Sequence, residues 1–152
     1  MFRRQLGDIL TNGDLDLKVI HLYDGRGEMG DSPMYGMFVF LHSSAVRVGE
    51  ISFRFVDTPT VVMYDGHIGF GIDLPHRGNH YAEMACRIVR PLAIEHGLRE
   101  LFLTCAPTNI GSIRTCERLN ATDLGLIDLP ALYREANDIT EPQYLRFRWT
   151  IM

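Results

Sequence analysis

The sequence lacks an apolar run long enough to cross a membrane. A spanning helix needs about 20 consecutive apolar residues, and no run in this chain of 152 residues approaches that length. The first residues, MFRRQLGDILTNGD, carry two arginines but neither a sustained apolar core nor a small-residue cleavage site. We therefore expect no signal peptide and no membrane partner. The cysteine content, described next, fits reduced thiols in a cytoplasmic protein.

Cysteine and basic charge are also scarce. Cys86, Cys105 and Cys116 are odd in number and have no C-x-x-C spacing, which disfavours a disulfide framework and a zinc site. The one H-x-x-x-H spacing, His76 to His80, falls in a glycine-bearing loop, so we expect no metal. The net charge is −4, whereas nucleic-acid binding normally needs a basic face, so we expect no nucleic-acid partner.

The composition that remains is that of an ordinary globular domain. Hydrophobic residues make up 46% of the chain and charged residues 22%, which is close to the average for folded proteins. A chain of this length can bury one substantial core. The sequence therefore predicts a single domain over residues 1–152.

The first half of the chain predicts strands, because it is rich in alternating, aromatic and β-branched segments. The predicted strands are residues 15–23, 34–41, 46–56, 61–64 and 66–72. The second and third form a hairpin around Ser43 and Ser44. Residues 24–33, DGRGEMGDSP, are rich in glycine and charge and predict a loop. The glycines within 66–72 indicate a bulge or a close approach of another backbone or a ligand.

The second half predicts helices between strands. An apolar stripe at helical spacing predicts a helix over residues 81–96, which Pro91 should kink or split. The other predicted elements are a strand at 101–105, a helix at 109–119 that ends at Asn120, strands at 122–127 and 144–151, and a helical turn at 132–135. This order of elements predicts a mixed α/β sheet.

The junction between the strand at 66–72 and the following helix indicates an anion site. Arg77, Gly78 and Asn79 lie in a loop that leads directly into the helix N-terminus. Backbone N–H groups and the helix dipole at such a junction favour a negatively charged group. The junction therefore predicts a ligand that carries phosphate.

The segments HIGFGI, RGNHYA, EHGLRELFLTC and PTNIGSIRTCERLNA, over about residues 66–121, resemble the core of the GNAT superfamily of acetyl-CoA-dependent N-acetyltransferases. The pyrophosphate loop of that family reads R/Q-x-x-G-x-G/A. Residues 77–82 match its arginine and its final small residue, whereas His80 replaces the central glycine. The resemblance implies a GNAT-like α/β acyl-CoA N-acyltransferase fold with a shortened N-terminal helical region.

The resemblance also implies acetyl-CoA as the cofactor. Backbone amides would hold its diphosphate, and the residues of that loop are Arg77, Gly78, Asn79, His80, Tyr81 and Ala82. A strand would offer backbone groups to the pantetheine arm at Phe70, Gly71 and Ile72. Asn109 would contact the same arm or cap its own helix, or do both, and Ser112 is a weaker candidate. His80 either points outward and uses only its N–H, or adds an imidazole contact to the phosphate.

Transfer to an amine needs a base and an acid. An alkyl amine with a pKa near 10.4 is almost fully protonated at neutral pH, so a base must accept its proton and an acid must meet the leaving thiolate. His67 and Glu50 are the candidate bases, and each has a plain structural alternative in the core or at a solvated edge. Many family members place a tyrosine acid where this chain has Cys116, whose thiol either donates a proton or only packs.

The acceptor side departs most from the family pattern. GNAT proteins usually have one or two helices between their first and second strands, but here only the ten residues 24–33 fill that gap. The acceptor pocket would then be open, built by residues 57–65 and 131–142, or completed by another subunit. We expect a homodimer, because exposed strands and an incomplete roof favour association.

The sequence leaves three functional hypotheses. The first is an N-acetyltransferase that moves an acetyl group from acetyl-CoA to a primary amine of a small molecule or protein. The second is a CoA-binding module of the same fold with weak or lost catalysis, which Cys116, His80 and the short roof favour. The third is a structural domain whose loop binds nothing.

Overall fold

The first half of the chain forms one antiparallel sheet. The computed structural model describes residues 1–26 and 30–152. In that part of the chain the first sheet has five strands in the order β1-β2-β3-β4-β5, and all neighbouring pairs are antiparallel. The strands are β1 (Ile9–Thr11), β2 (Leu15–Tyr23), β3 (Met34–Leu41), β4 (Arg47–Arg54) and β5 (Ile68–Ile72).

The second half adds three helices and a smaller sheet. Its strands are β6 (Glu100–Cys105), β7 (Thr122–Asp128) and β8 (Gln143–Thr150), in the antiparallel order β6-β8-β7. The helices are α1 (Tyr81–Glu95), α2 (Ile110–Arg118) and α3 (Ala131–Ala136). The predicted mixed α/β fold is confirmed, with both sheets antiparallel. None of these helices combines the length and the apolar character needed to cross a membrane.

The core lies where α1 packs against the sheets. Alternate residues of β2, namely Leu15, Leu17 and Val19, are buried, as the strand period requires. The predicted apolar stripe of α1 meets them, with Val89 and Leu92 fully buried. Burying one such side chain contributes about 1.5–3 kcal/mol. This packing fixes α1, and therefore its N-terminus, relative to β5.

Pro91 does not split α1. The helix continues from Tyr81 to Glu95 as one element with Pro91 inside it. A proline costs about 3 kcal/mol in a regular helix, but Val89 on one side of it and Leu92 and Ala93 on the other are fully buried. Burial on both sides of the exposed proline keeps the helix continuous, so the split is wrong and the kink stays a prediction.

The short strand predicted at residues 61–64 is a π-helical turn, Val61–Asp65. The two β-branched residues at its start suggested a strand, but the backbone groups bond locally. Val62 N–H donates to Thr58 O at 3.0 Å, and Gly66 N–H donates to Val61 O at 2.8 Å. Because these backbone groups bond within the turn, they do not pair with a neighbouring strand. The strand β1 was missed, because its three residues show no periodic pattern.

The two sheets meet at one point and then separate. His67 N–H donates to Phe102 O at 2.7 Å, and Phe102 N–H donates to Nδ1 of the His67 ring at 2.9 Å. Beyond this contact β5 pairs with β4, and β6 pairs with β8. Gly66 allows the close approach, because a Cβ there would lie 2.9 Å from Phe102 O and its φ is +71°. The divergence opens a cleft between β5 and β6.

Part of the predicted loop at residues 24–33 lies outside the described residues. Residues 24–26 and 30–33 contain no helix or strand. The loop prediction for residues 27–29 falls on the part of the chain that the structure does not describe. The full course of the short roof over the acceptor site falls there too.

Candidate functional site

The loop before α1 has a left-handed backbone at two positions. Gly78 has φ +89° and His80 has φ +61°. The left-handed conformation costs a non-glycine residue roughly 1–2 kcal/mol, although histidine adopts it more often than most residues. His80 is the N-cap of α1, and its side chain makes no capping hydrogen bond. The backbone at this position therefore favours glycine, the residue that the family motif has there.

Backbone amides gather where this loop enters α1. Arg77 N–H is occupied, because it donates to Leu74 O at 3.3 Å. The first helical bond runs from Met84 N–H to His80 O at 3.1 Å. Within the described part of the chain, the amides of residues 78–82 have no protein acceptor. Five amides at a helix N-terminus can receive an anion, whose charge the helix dipole also favours.

Two side chains of the loop hold its shape. Arg77 Nε donates to Ile72 O at 2.8 Å and so ties the loop to the end of β5. Asn79 Nδ2 donates to His76 O at 3.0 Å, within the turn that precedes it. The side chains of Arg77 and Asn79 are therefore engaged with their own segment.

An outer cavity of about 410 Å³ opens in front of the loop. Of the eleven residues predicted to bind the cofactor, ten line it: Phe70, Gly71, Ile72, Arg77, Gly78, His80, Tyr81, Ala82, Asn109 and Ser112. Asn79 does not. The cavity also has four lining residues that the sequence did not single out: His76, Gly111, Thr115 and Arg118. The structure thus brings the loop, β5 and the start of α2 to one groove.

The charges at this groove favour an anion. Arg77 and Arg118 line it together with His76 and His80. Arg118 Nε lies 3.5 Å from the carboxylate of Glu83 in the first turn of α1. It has no hydrogen-bond partner among the described residues. A buried guanidinium N–H of this kind retains capacity to bind a further acceptor.

Asn109 caps α2 at the centre of the site. Its Oδ1 accepts a hydrogen bond from Ser112 N–H at 3.2 Å. This is the capping role that was one of the alternatives for Asn109. Asn109 and Ser112 also line both the outer cavity and a second cavity that lies deeper in the cleft. Asn109 therefore caps α2 and lines the two cavities at the same time.

The inner cavity has a volume of about 250 Å³ and lies between β5 and β6. It shares Phe70, Asn109 and Ser112 with the outer cavity, so the two cavities adjoin at these residues, and together they are called the channel below. Its other lining residues are Ile68, Gly69, Leu103, Thr104, Cys105, Ala106, Cys116, Glu141 and Tyr144. Glu141 and Tyr144 were not predicted, because both lie far along the chain from the motif segments.

His67 is fully buried and uses both ring nitrogens. Nδ1 accepts from Phe102 N–H at 2.9 Å, and Nε2 lies 2.7 Å from Oδ1 of Asp57. Nε2 therefore carries the proton and donates a hydrogen bond to the carboxylate. Burial lowers the pKa of His67, and the hydrogen bond to Asp57 opposes that shift. In this arrangement neither nitrogen is free to accept a proton from a substrate, so the geometry disfavours His67 as the base.

Glu50 lies outside both cavities. It is directly opposite Gly71 in the β4–β5 register, and its side chain is 66% exposed. Arg47 Nη2 approaches its carboxylate at 3.4 Å. The exposure matches the solvated-edge alternative for Glu50, and a role as base would require an acceptor that binds on this outer face.

Cys116 lines the inner cavity but is a weak acid there. Burial is the largest cause that raises the pKa of its thiol to about 12. Cys105, which lines the same cavity, has a pKa raised to about 11, also chiefly by burial. These thiols stay protonated near neutral pH, and Cys116 is positioned as a small packing residue as well as a potential donor.

The two segments expected to build the acceptor pocket contact each other. Tyr133 in α3 donates its hydroxyl hydrogen bond to Asp65 at 2.6 Å, and its ring lies 5.1 Å from that of Tyr64. Arg146 Nε also donates to Val62 O at 2.9 Å. The turn at 61–65 is thereby joined to α3 and β8 beside the inner cavity.

Comparison with known proteins agrees with this geometry. The family model for the acetyltransferase (GNAT) domain matches residues 18–122, more than half of the chain. A search among proteins of curated function finds no match.

Solved structures share the fold at low sequence identity. A Vibrio cholerae protein described as a candidate ribosomal-protein-serine acetyltransferase is 16% identical, with a TM-score of 0.69 over 97% of this chain and 99% of that one. The microcin C7 self-immunity acetyltransferase MccE, in complex with acetyl-CoA and AMP, is 15% identical, with a TM-score of 0.58 over 77% and 61%. Mycobacterium smegmatis RimJ, in complex with CoA-disulfide, is 17% identical, with a TM-score of 0.58 over 77% and 53%.

Proposed function

This chain belongs to the GNAT acetyltransferase family, and from that premise we propose that it transfers an acetyl group from acetyl-CoA to a primary amine of a small molecule or protein. One observation carries the proposal. Two adjoining cavities lead from the free amides at the N-terminus of α1 to the cleft between β5 and β6. A ligand with a diphosphate at one end and a reactive thioester at the other matches this channel.

Acetyl-CoA is the cofactor that the family and its structural neighbours support. MccE is described in complex with acetyl-CoA, and RimJ with CoA-disulfide. In our proposal the amides of residues 78–82 bind the diphosphate, since they are free and the groove is basic. Arg77 contributes less through its amide, which is occupied, than through the shape it gives the loop. Asn79 contributes its amide alone.

The pantetheine arm would then lie between β5 and α2. Phe70, Gly71 and Ile72 line this part of the groove on one side, and Asn109 and Ser112 line it on the other. Because Phe70, Asn109 and Ser112 also line the inner cavity, the thioester would reach the cleft beyond them. This path supports all five residues as contacts of the arm.

Glu141 is the base that this arrangement favours. Glu141 lines the inner cavity, and a general base must lie within hydrogen-bond reach of the amine, directly or through one water. Glu50 remains the alternative for an acceptor on the outer face. His67 would first have to release a hydrogen bond to Phe102 or Asp57.

Release of free thiol from acetyl-CoA tests the proposed function. The purified chain is incubated with acetyl-CoA and a panel of primary amines that includes polyamines, lysine-containing peptides and peptides with N-terminal serine. The panel includes peptides with N-terminal serine because one structural neighbour is described as a candidate ribosomal-protein-serine acetyltransferase. We expect amine-dependent thiol release and acetylated product by mass spectrometry. Binding of CoA without transfer to any amine would instead favour the CoA-binding module.

We also propose that residues 1–152 form one domain and that the chain assembles as a homodimer. The Vibrio cholerae structure that spans nearly the whole of both chains supports a single domain. Apolar groups on the sheet face away from α1 support association, since Phe38 there lies beneath Arg47 and Ile20 is 40% exposed. Sedimentation should give twice the monomer mass, and a monomer at all concentrations would contradict the dimer. The cytoplasmic location stays a prediction.

A further inference from the structure

The proposed reaction lacks an acid at the position where the family usually has a tyrosine. Expulsion of the CoA thiolate is easier when a group near the sulfur donates a proton as the C–S bond breaks. The position expected for that tyrosine is Cys116, whose pKa burial raises to about 12. A thiol is also a weak hydrogen-bond donor. The inner cavity therefore needs a different donor.

Tyr144 lies at the inner end of the channel. It precedes Leu145, which pairs with Cys105 at the last residue of β6. Cys105 and Ala106 line the inner cavity at the same place, together with Tyr144 and Glu141. Tyr144 thus contributes from β8 to the lining of the cleft that the separation of β5 and β6 opens.

The hydroxyl of Tyr144 is free to donate. In the described part of the chain, the hydroxyls of Tyr23, Tyr35 and Tyr133 each bond to protein groups, and that of Tyr144 does not. Burial, followed by the charge of Glu141, raises the pKa of Tyr144. The phenol is therefore protonated at neutral pH. Because the side chain is only half-buried, solvent can return a proton to it.

Other hydroxyls at the cavity are weaker candidates. Thr104 already donates to Tyr64 O at 2.6 Å. Ser112 lines the cavity, but an aliphatic hydroxyl is a far weaker acid than a phenol, whose ordinary pKa is about 10. Tyr81 lines the outer cavity only. These comparisons leave Tyr144 as the strongest acid with a free hydrogen at the inner end.

We propose that Tyr144 is the catalytic acid that protonates the leaving CoA sulfur, an inference that rests on the proposed function. The amine nitrogen attacks the thioester carbonyl, and the base takes the proton that the nitrogen gives up. The tetrahedral intermediate then collapses, the C–S bond breaks, and the Tyr144 hydroxyl gives its proton to sulfur. The phenolate regains the proton from the base through solvent, so the products are the amide and CoA thiol.

The test compares Tyr144→Phe with the wild-type chain. We expect kcat to fall about 100-fold, which is within the usual contribution of an acid catalyst, while the Kd for CoA by calorimetry stays within about twofold. Tyr23→Phe removes a hydroxyl outside the channel and should retain activity. Ser112→Ala should lose less kcat than Tyr144→Phe does.

A second readout separates proton donation from packing. Acetyl-seleno-CoA has a leaving selenolate that needs little protonation, so the deficit of Tyr144→Phe should shrink to less than about tenfold with this substrate. A kcat within about threefold of wild type with acetyl-CoA, or the same deficit with both substrates, would overturn the role of Tyr144 and leave the proposed function intact. A wild-type chain that binds CoA but acetylates no amine would overturn both proposals.

Discussion

The outer and inner ends of the channel differ in the chemical groups that they offer to a ligand. At the outer end, the proposed binding groups are backbone amides of one short segment, residues 78–82, at the N-terminus of α1. At the inner end, the lining consists of side chains from β5, β6, α2 and the segment that leads into β8. Binding by backbone amides requires a particular local conformation. That conformation requires particular residues at fixed spacing, which can be recognised as a motif in the sequence. Side-chain binding depends on which distant elements meet.

The two ends also use histidine in opposite ways. At the outer end, His80 is exposed and adopts a left-handed backbone that glycine would adopt at less cost. Next to the inner end, His67 is buried, and its main-chain N–H and ring Nδ1 both bond to Phe102 of β6, while its Nε2 bonds to Asp57. One histidine is tolerated at its position, whereas the other is needed to define where the cleft begins. Changes at the two positions should therefore have effects of different kinds.

The largest expected effect is at the inner end. Glu141→Gln removes the carboxylate that lines the cavity and should lower kcat by about 100- to 1,000-fold, since a general base contributes about 10²–10⁴. Steady-state kinetics with acetyl-CoA and the best amine measure this effect. Glu117→Gln, an exposed carboxylate on α2 that lines neither cavity, is the matched control. A larger loss in Glu50→Gln than in Glu141→Gln would show that the acceptor binds on the outer face.

His67→Ala should reduce stability rather than only activity. The change leaves Phe102 N–H without its acceptor and creates a cavity at a fully buried site. An unsatisfied buried donor costs about 1–3 kcal/mol, so we expect a loss of about 2–3 kcal/mol in the free energy of unfolding. Urea denaturation at pH 7.5 measures it, with the exposed His21→Ala as the control. Unchanged stability with strongly reduced activity would instead favour His67 as the base.

At the outer end, a charge change should act on CoA binding alone. His80→Glu places a carboxylate beside the amides of residues 78–82 and should weaken CoA binding about tenfold, because an exposed charge is partly screened. Calorimetry measures the Kd. His80→Gly keeps the amide and suits the positive φ, so its Kd should stay within about threefold of wild type. Equal affinity in both variants would move the diphosphate away from this loop.

The smallest expected effect is the response of stability to mild acid. Burial lowers the pKa of His67 and of His96 in the folded state. The unfolded chain then binds more protons than the folded chain below pH of about 6.5, so stability should fall as pH falls through that value. Between pH 7.5 and 5.5 we expect a loss of about 1–2 kcal/mol. His67→Ala should show a shallower decline, and an unchanged slope would exclude His67 as its source.

The regular elements could be predicted where packing and local pattern agree. The alternation of β2 and β3 gave the observed bounds, residues 15–23 and 34–41, because one face of each strand is buried. Predictions failed where core packing or a local hydrogen-bond pattern overrides the residue pattern. Pro91 is accommodated because buried residues flank it, and the turn at 61–65 closes through its own hydrogen bonds.

The site divides in the same way. The outer loop, β5 and Asn109 could be predicted, since amides at a helix N-terminus and an N-cap asparagine require particular residues at fixed spacing. Asn79 was the exception, because its side chain turns back to His76. Glu141 and Tyr144 could not be predicted, because only the register of β8 beside β6 brings them to the cleft.

The most direct test of the central claim is a ¹H–¹⁵N NMR titration of the chain with CoA. We predict that the amides of residues 78–82 show the largest shifts at saturation, and that pantetheine, which lacks the diphosphate, leaves them nearly unchanged while shifting those of Phe70 and Ser112. If CoA shifts none of the amides at 78–82, or shifts a set remote from the channel, the diphosphate site and the acetyl-CoA path built on it are wrong.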